Sequence, residues 1–282
     1  MPQKTAYITG GGSGIGRAVA TMLVNRGFKV AIADINYAHA KDVATALGPQ
    51  VQAYEVDAAS WDSQTKAFQQ ALEDLGGRVD FVCPIAGIGE RRSIPNDPTS
   101  KGFVRPDLAC LDVDLYGVTY TVSLAVQQMR RQERDEEGIK GKMGLKQDNS
   151  VLQIMLTASV ALPIYTAAKH GVVGLTRSYG AYLPEEHITL NAVCPNVVRT
   201  SISTGEFYDK LEAKGLLTPM SSVVNAFEKL LDGKFSGQCL EAGPNGGIDF
   251  RQPAEHLDRE TAELMELLYE RGHPLHQPVS QE

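Results

Sequence analysis

The sequence predicts an α/β fold, with a single doubly wound parallel sheet and helices on both faces. Short apolar runs alternate with longer amphipathic runs along most of the chain, as strands and crossover helices do. The apolar run at 7–9 leads at once into a glycine-rich turn and then into the amphipathic run 17–26. A strand, a glycine turn and a helix in direct succession indicate the first unit of such a sheet.

Composition limits the class of protein. The chain has 282 residues, of which 43% are hydrophobic, enough for one large domain with a substantial core. We expect residues 1–250 to form that domain and residues 251–282 to form a C-terminal helical extension. The formal net charge of −7 argues against nucleic acid or an anionic membrane as the main partner, and favours an acidic enzyme with a small-molecule substrate.

Cysteine usage and the N-terminus predict a cytoplasmic protein. The four cysteines are widely spaced, so the sequence predicts neither a disulfide framework nor a metal site. The first predicted strand begins close to the N-terminus, which leaves no room for a signal peptide. We also expect no membrane span, since no apolar run reaches ~18 residues.

The glycine-rich turn predicts a nucleotide site. Gly10, Gly14 and Gly16 have the spacing G-x-x-x-G-x-G, in which missing side chains let the backbone approach a pyrophosphate at a helix N-terminus. There the anion meets unpaired N–H groups and the positive end of the helix dipole. Flexible loops and tight hairpins also use glycine clusters, but the strand before this one and the helix after it favour the nucleotide.

The second predicted strand, at 30–34, ends in Asp34. A carboxylate at this place can accept both ribose hydroxyls of an adenosine, and it would repel the phosphate of NADP. Asp34 therefore predicts NAD as the cofactor. The alternative, that Asp34 caps the next helix, is compatible with the same role.

The remaining elements follow from periodicity. A loop is predicted at 90–106, and a charged, solvated excursion at 132–150. Further strands are predicted at 51–56, 81–84, 151–157 and 237–242. Helices are predicted at 37–47, 60–75, 107–131, 165–183, 220–231 and 258–271.

Tyr165 and Lys169 stand four residues apart at the head of a predicted helix, which places both side chains on one face. A nearby ammonium lowers the pKa of a phenol, and such a phenol can exchange a proton with an alcohol. Considered alone, the pair is more often an amphipathic surface feature. Its position after the fifth strand of a nucleotide-binding sheet favours chemistry instead.

Five motifs follow one another along the chain: Thr9 to Gly16, the Asp57 turn, Ala86-Gly87, Tyr165-x-x-x-Lys169 and Asn191-Ala-Val-Cys-Pro195. As an ordered set they resemble the short-chain dehydrogenase/reductase family, which has a Rossmann fold. The resemblance covers about residues 4–250, and within the family it is strongest to the 15-hydroxyprostaglandin dehydrogenase group and its fungal relatives.

The resemblance implies roles for individual residues. Tyr165 would be the general acid/base, Lys169 would bind the nicotinamide ribose and lower the pKa of Tyr165, and Ser159 would hold the substrate oxygen. It also implies a homodimer or homotetramer. The cofactor-binding residues would be Gly10, Ser13, Gly14, Ile15, Gly16, Asp34, Asp57, Ala86, Tyr165, Lys169, Val198 and Thr200. Val198 has the alternative of simple packing at a strand end.

Three positions depart from the family pattern. Ile85 and Asp114 stand where the family usually has asparagine, and a carboxylate cannot donate a hydrogen bond unless it is protonated. Ser159 and Tyr165 are 165 − 159 = 6 residues apart, which is shorter than the family spacing. Either this substrate loop is truly shortened, or the sequence lacks a short coding segment.

Two classes of function follow. The first is an NAD-dependent oxidoreductase that interconverts a secondary alcohol and a ketone, with a place in polyketide-like secondary metabolism. The second is a nucleotide-binding relative that acts without net redox, as a cyclase, an isomerase or a sensor. Retention of both Tyr165 and Lys169 favours the first. For the segment 201–219 we expect a substrate lid whose apolar wall is formed by Phe207, Tyr208, Leu211 and Leu216, although ordinary helix packing explains these residues equally well.

Overall fold

The computed structural model describes residues 3–91, 94–146 and 161–277. The described residues up to 251 form one large sheet with helices on both faces. The chain divides into two compact units, Met1–Arg251 and Gln252–Glu282. The strands are β1 Thr5–Thr9, β2 Lys29–Asp34, β3 Val51–Glu55, β4 Phe81–Pro84, β5 Gly141–Lys146, β6 Ile188–Pro195, β7 Cys239–Ala242 and β8 Ile248–Arg251.

The helices lie in two layers, as the sequence predicts. Those of the first unit are α1 Gly14–Asn25, α2 Tyr37–Leu47, α3 Trp61–Leu75, α4 Ala109–Leu111, α5 Val118–Arg130, α6 Pro163–Tyr182, α7 Gly205–Glu212 and α8 Met220–Asp232. Apolar residues of α1, α2 and α8 are buried in one core cluster, and those of α3, α5 and α6 in the other. The second unit contains α9, Arg259–Gly272. The predicted doubly wound α/β fold is confirmed.

The strand order of the described sheet is β3-β2-β1-β4-β5-β6-β7-β8. Neighbouring strands are parallel, except that β8 runs antiparallel to β7. After β3 the chain returns past β1 and continues on its other side, so the order reverses between β1 and β4. In open α/β sheets ligands bind at the carboxyl ends of the strands at such a reversal. The glycine-rich turn follows β1 at this place.

The prediction of a solvated excursion at 132–150 is wrong for β5, a buried strand between β4 and β6. Gly141 leaves room for Met129 of α5, and Gly144 leaves room for Phe227 and Leu230 of α8. The charge of Lys142 is satisfied because its Nζ donates to the carbonyl oxygen of Leu231, at 2.7 Å, near the C-terminus of α8. The strand predicted at 151–157 lies outside the described residues.

The predicted helix at 107–131 contains a π turn, Asp112–Gly117, between α4 and α5. The buried amide of Gln64, in α3, donates to the carbonyl oxygen of Gly117 at 2.8 Å and to that of Ala58 at 2.6 Å. A backbone carbonyl freed by the wider turn thus has a partner inside the core.

Two other expectations need correction. The antiparallel strand β8 follows what the sequence suggested was the last strand. The segment 109–130 is long and apolar enough to cross a membrane by length and composition, contrary to the expectation that no such run exists. Half of its most apolar window is buried inside the fold, as is common for core helices of water-soluble proteins.

Candidate functional site

The turn after β1 is shaped by close backbone contacts. Gly10 has φ +74°, and a Cβ at this position would lie 2.7 Å from the backbone nitrogen and Cα of Ala86, in the turn after β4. Only glycine fits such a conformation and such an approach. Ser13 is the N-cap of α1 but makes no side-chain hydrogen bond to the helix. Its hydroxyl therefore leaves the first N–H groups of α1 to an incoming anion.

Asp34 ends β2 and ties the glycine-rich turn to it. Its Oδ2 accepts a hydrogen bond from the backbone N–H of Gly12 at 2.9 Å, and its Oδ1 accepts one from the N–H of Asn36 at 2.9 Å. The N-cap of α2 is Asn36, whose side chain accepts from the N–H of His39. The alternative in which Asp34 caps α2 is therefore wrong.

A first cavity of about 370 Å³ runs along the carboxyl ends of β1, β2 and β4. It extends from Asp34 past the glycine-rich turn. The predicted cofactor residues that line it are Gly10, Ser13, Gly14, Ile15, Gly16, Asp34, Asp57, Ala86 and Thr200. The structure thus brings together residues from separate elements on one wall. Its place at the carboxyl ends of the strands and its open helix N-terminus suit a dinucleotide.

A second cavity, of about 530 Å³, adjoins the first. Both are lined by Ile15, Lys146, Thr200 and Ile202. Tyr165 lines the second cavity only, and so does Val198. Of the expected apolar wall, Phe207 and Tyr208 of α7 line it, whereas Leu211 and Leu216 are not among its lining residues. A largely apolar chamber beside a dinucleotide-shaped groove is the usual arrangement for a small organic substrate.

Tyr165 and Lys169 lie on one face of α6, as their spacing predicts. The Nζ of Lys169 is 5.3 Å from the centre of the Tyr165 ring. Tyr165 is 7% exposed and Lys169 is 1% exposed. Lys169 lines neither cavity, so it lies behind the phenol rather than in the open chamber.

Asp114, in the π turn, is the partner of Lys169. Its Oδ2 lies 2.9 Å from the Nζ of Lys169, and both side chains are 1% exposed. Its Oδ1 accepts a hydrogen bond at 2.8 Å from the backbone N–H of Ile88, in the segment after β4. Asp114 thus joins α6 to the loop that follows β4.

Two site residues were missed by sequence reasoning. Glu90 was assigned to a surface loop, but its Oε2 accepts from the backbone N–H of Tyr165 at 2.8 Å and its side chain lines the second cavity. An acidic residue just after the β4 turn was the available signal. Lys146, at the end of β5, is 5% exposed and lines both cavities. The polar sequence around it gave no sign of a buried strand.

Three further predictions concern Ser159, the cysteines and metal binding. Ser159 lies outside the described residues. The four cysteines are free and buried. Among residues 3–91, 94–146 and 161–277, no cluster of three or more histidine, cysteine, aspartate or glutamate side chains could hold a metal ion.

Comparison with known proteins assigns the family. The family model described as short chain dehydrogenase matches residues 4–210. The chain belongs to the short-chain dehydrogenase family. The Penicillium roqueforti protein named short-chain dehydrogenase/reductase prx4 is 32% identical over 229 residues, covering 78% of this chain and 61% of that protein. The chain therefore spans about three fifths of the length of this fungal relative.

Another relative is matched over nearly its whole length. The 15-hydroxyprostaglandin dehydrogenase [NAD(+)] of Bos taurus is 27% identical over 271 residues, covering 88% of this chain and 94% of that protein. The fold is also that of a Brucella melitensis 3-ketoacyl-(acyl-carrier-protein) reductase solved with NADH, with a TM-score of 0.71 and 23% identity. That match covers 84% of this chain and 96% of the reductase. The predicted likeness to prostaglandin dehydrogenases and fungal relatives is confirmed.

Proposed function

We propose that this protein is an NAD-dependent oxidoreductase that interconverts a secondary alcohol and a ketone by hydride transfer. The observation that carries the proposal is the placement of Tyr165. Its side chain lines the apolar chamber next to the dinucleotide-shaped cavity, and a buried lysine lies behind it. A proton donor at such a junction is what alcohol oxidation beside a nicotinamide requires.

The residues of the first cavity fit a dinucleotide. The turn comes so close to Ala86 that a side chain at Gly10 would clash, and the first turn of α1 is open to a pyrophosphate. Asp34, at the far end of this cavity, would accept the ribose hydroxyls and disfavour a 2′-phosphate. The names of the mammalian relatives state NAD(+), which supports the same choice. When bound, the nicotinamide supplies or accepts the hydride.

The chain's own residues would manage the proton. In the oxidising direction, the Tyr165 phenolate accepts the proton of the substrate hydroxyl, and in the reducing direction the phenol returns it to the carbonyl oxygen. Lys169 would orient the phenol from behind, and the family resemblance also assigns it to the nicotinamide ribose, although its side chain lines neither cavity. We assign Ser159 to the substrate oxygen by family resemblance, and Val198 and Thr200 to the nicotinamide carboxamide.

We propose the substrate class, the localisation, the oligomeric state and the metabolic role from the composition, the fold and the relatives. A small-molecule substrate, with neither nucleic acid nor membrane as a partner, suits an acidic chain with an apolar chamber. We also propose a cytoplasmic homodimer or homotetramer, a role in polyketide-like secondary metabolism, and residues 1–250 as the domain that carries the chemistry.

Replacing Tyr165 by phenylalanine tests the reaction, because it removes only the hydroxyl. Turnover of secondary alcohols with NAD should fall by about 10²- to 10⁴-fold, the usual contribution of a positioned acid/base. The dissociation constant of NADH, followed by cofactor fluorescence, should stay the same. Tyr37→Phe is the matched control, since Tyr37 lies on α2 and lines neither cavity.

Full turnover by Tyr165→Phe would contradict the redox proposal. NADH binding by the wild-type protein with no turnover of any alcohol or ketone in a broad panel would instead favour a cyclase, an isomerase or a sensor.

A further inference from the structure

We propose that Tyr208 is a positioning residue that orients the Thr200 hydroxyl as a hydrogen-bond donor to the carboxamide of a bound nicotinamide. Tyr208 thereby links α7, on the wall of the second cavity, to the cofactor in the first cavity. The inference rests on the proposed function of the same site. It gives the Tyr208 hydroxyl a task, in addition to the place of its ring on the apolar wall.

Thr200 lies where the two cavities meet. It lines both of them, and it packs against the glycine-rich turn, since a Cβ at Gly14 would lie 3.2 Å from its Cγ2. A ligand group that accepts a hydrogen bond from Thr200 can therefore belong to a dinucleotide bound along that turn. The nicotinamide end has to reach this junction if a hydride is to pass between the cofactor and a substrate beside Tyr165.

Tyr208 connects α7 to Thr200. It is the one buried residue of α7, all of which the structure describes, and it is 4% exposed. Its hydroxyl oxygen lies 3.2 Å from the Oγ1 of Thr200 and accepts a hydrogen bond of 3.2 Å from the backbone N–H of Ser203. The Oγ1 of Thr200 in turn accepts one of 3.3 Å from the backbone N–H of Ile202. Two hydroxyls and two backbone donors thus form one short network.

The burial of Tyr208 decides which hydroxyl donates to the other. Each hydroxyl has one hydrogen to donate and two lone pairs that accept. If Thr200 donated, the hydrogen of the buried Tyr208 hydroxyl would have no acceptor among the described residues, and a buried donor without an acceptor is costly. If Tyr208 donates, both lone pairs of Thr200 are occupied. The hydrogen of Thr200 then remains for a ligand in the cavities that Thr200 lines.

This network selects the kind of group that Thr200 binds. A hydroxyl whose two lone pairs are occupied can only donate, and the carboxamide of a nicotinamide offers a carbonyl oxygen that accepts. Without the Tyr208 hydroxyl, one lone pair of Thr200 loses its donor, so the Thr200 hydroxyl can rotate and has to be ordered again when the cofactor binds. The outer side of α7 is held separately, because Arg199 pairs with Asp209 at 2.8 Å and with Glu212 at 2.9 Å.

The first measurement compares the binding of two ligands to the wild type and to Tyr208→Phe. NADH carries the carboxamide, whereas ADP-ribose has the same adenosine and pyrophosphate without the nicotinamide. Tyr208→Phe removes the hydroxyl and keeps the ring on the cavity wall. The dissociation constant of NADH, followed by cofactor fluorescence, should rise about two- to tenfold, as for the loss of one hydrogen bond. The dissociation constant of ADP-ribose, measured by calorimetry, should not change, and Tyr37→Phe should leave both constants unchanged.

The second measurement asks whether Tyr208 acts through Thr200. Thr200→Val keeps the shape of the side chain and removes its hydroxyl. Adding Tyr208→Phe to Thr200→Val should change the NADH dissociation constant by less than about twofold, because two residues that act through one hydrogen bond are not additive. If the double variant instead shows the product of the two single effects, Tyr208 acts independently of Thr200 and the proposal is wrong.

The two ligands also separate a positioning role from a structural one. A disturbed glycine-rich turn would weaken NADH and ADP-ribose alike, so equal weakening of both in Tyr208→Phe, or no weakening of either, overturns the role of Tyr208. The expected selective loss of NADH affinity in a protein that turns over no alcohol or ketone would refute the proposed function and leave the role of Tyr208 standing. Turnover by the wild type, with an unchanged NADH dissociation constant in Tyr208→Phe, would do the opposite. A wild type that binds no NADH would refute both.

Discussion

Cofactor choice should depend on Asp34, and the structure allows the size of the effect to be worked out. Each carboxylate oxygen of Asp34 already accepts one backbone hydrogen bond, from Gly12 and Asn36 respectively. A carboxylate oxygen has about two acceptor sites, so each oxygen keeps one for a ribose hydroxyl of NADH. The side chain lines the cavity and so faces the adenosine end.

Two contributions should separate the binding of NADH and NADPH. A hydrogen bond to a charged group contributes about 1.5–3 kcal/mol, and NADPH loses at least one such bond. Repulsion between the carboxylate and a phosphate charge at ~4 Å adds about 1–4 kcal/mol, with the lower value in well-solvated surroundings. The smaller values sum to about 2.5 kcal/mol, which corresponds to a preference of roughly 60-fold for NADH.

Fluorescence titration of the wild type, Asp34→Asn and Asp34→Ala with NADH and NADPH measures this preference directly. Both substitutions remove the charge, so the ratio of the two dissociation constants should fall to within about tenfold. Asp42→Asn removes one negative charge from an exposed position on α2 that does not line the cavity, and it should leave the ratio unchanged. Equal affinities of the wild type for NADH and NADPH would refute the reasoning.

Two further predictions concern stability. On α6, a Cβ at Gly180 would lie 2.6 Å from the carbonyl oxygen of Leu190, whereas a Cβ at Gly174 would meet nothing within 4 Å. Gly180→Ala should lower the free energy of unfolding by about 1–3 kcal/mol through overpacking, and Gly174→Ala should raise it by about 0.5–1 kcal/mol. Differential scanning fluorimetry and urea unfolding measure both changes. Equal changes in unfolding free energy for the two variants would contradict the packing described. Arg130 lowers the pKa of Glu186 through hydrogen bonds of 2.5 and 2.7 Å, so this pair stabilises the fold above the unfolded carboxyl pKa and loses that effect as pH falls through the folded pKa. Arg130→Met should therefore cost up to about 1 kcal/mol in urea unfolding at neutral pH and much less in acid, whereas a cost independent of pH would argue against the ion pair.

Much of the fold could be predicted because the signals were local. The bounds of α2 and β4 agree with the sequence prediction, and α3 begins within one residue of its predicted start, where Ser60 caps it by accepting from the N–H of Ser63. Periodicity and capping act within a few residues of the chain, so they are visible without tertiary contacts.

β5 could not be predicted because its stability depends on distant partners. Lys142 is buried where α8 ends, so its ammonium can reach the carbonyl oxygens of Leu231 and Gly233, and a carboxylate oxygen of Glu137 lies 3.5 Å away. Glycines in a polar segment resemble a loop until Met129 is known to pack against one of them. Tertiary packing here overrides local composition.

The candidate site also contains some residues that the sequence could predict and others that it could not. The glycine-rich turn and the pair Tyr165 and Lys169 have fixed spacings along the chain, and the structure places them as those spacings require. The contact of Glu90 with Tyr165 spans 75 residues, and that of Asp114 with Lys169 also joins separate elements. Sequence could show that Asp114 was unusual, but only the fold shows which ammonium it binds.

The π turn changes the direction in which side chains point along one continuous helix, so that its two halves can pack against different neighbours. Successive residues of an α-helix advance by about 100°, so one inserted residue rotates everything before it relative to everything after it. After the insertion, Val118 and Val122 are buried in the core cluster shared with α3. Before it, Cys110 contacts the carbonyl oxygen of Ile88, and within it Asp114 meets Lys169. A regular helix of the same sequence could satisfy the core or the ion pair, but its angular phase would not allow both.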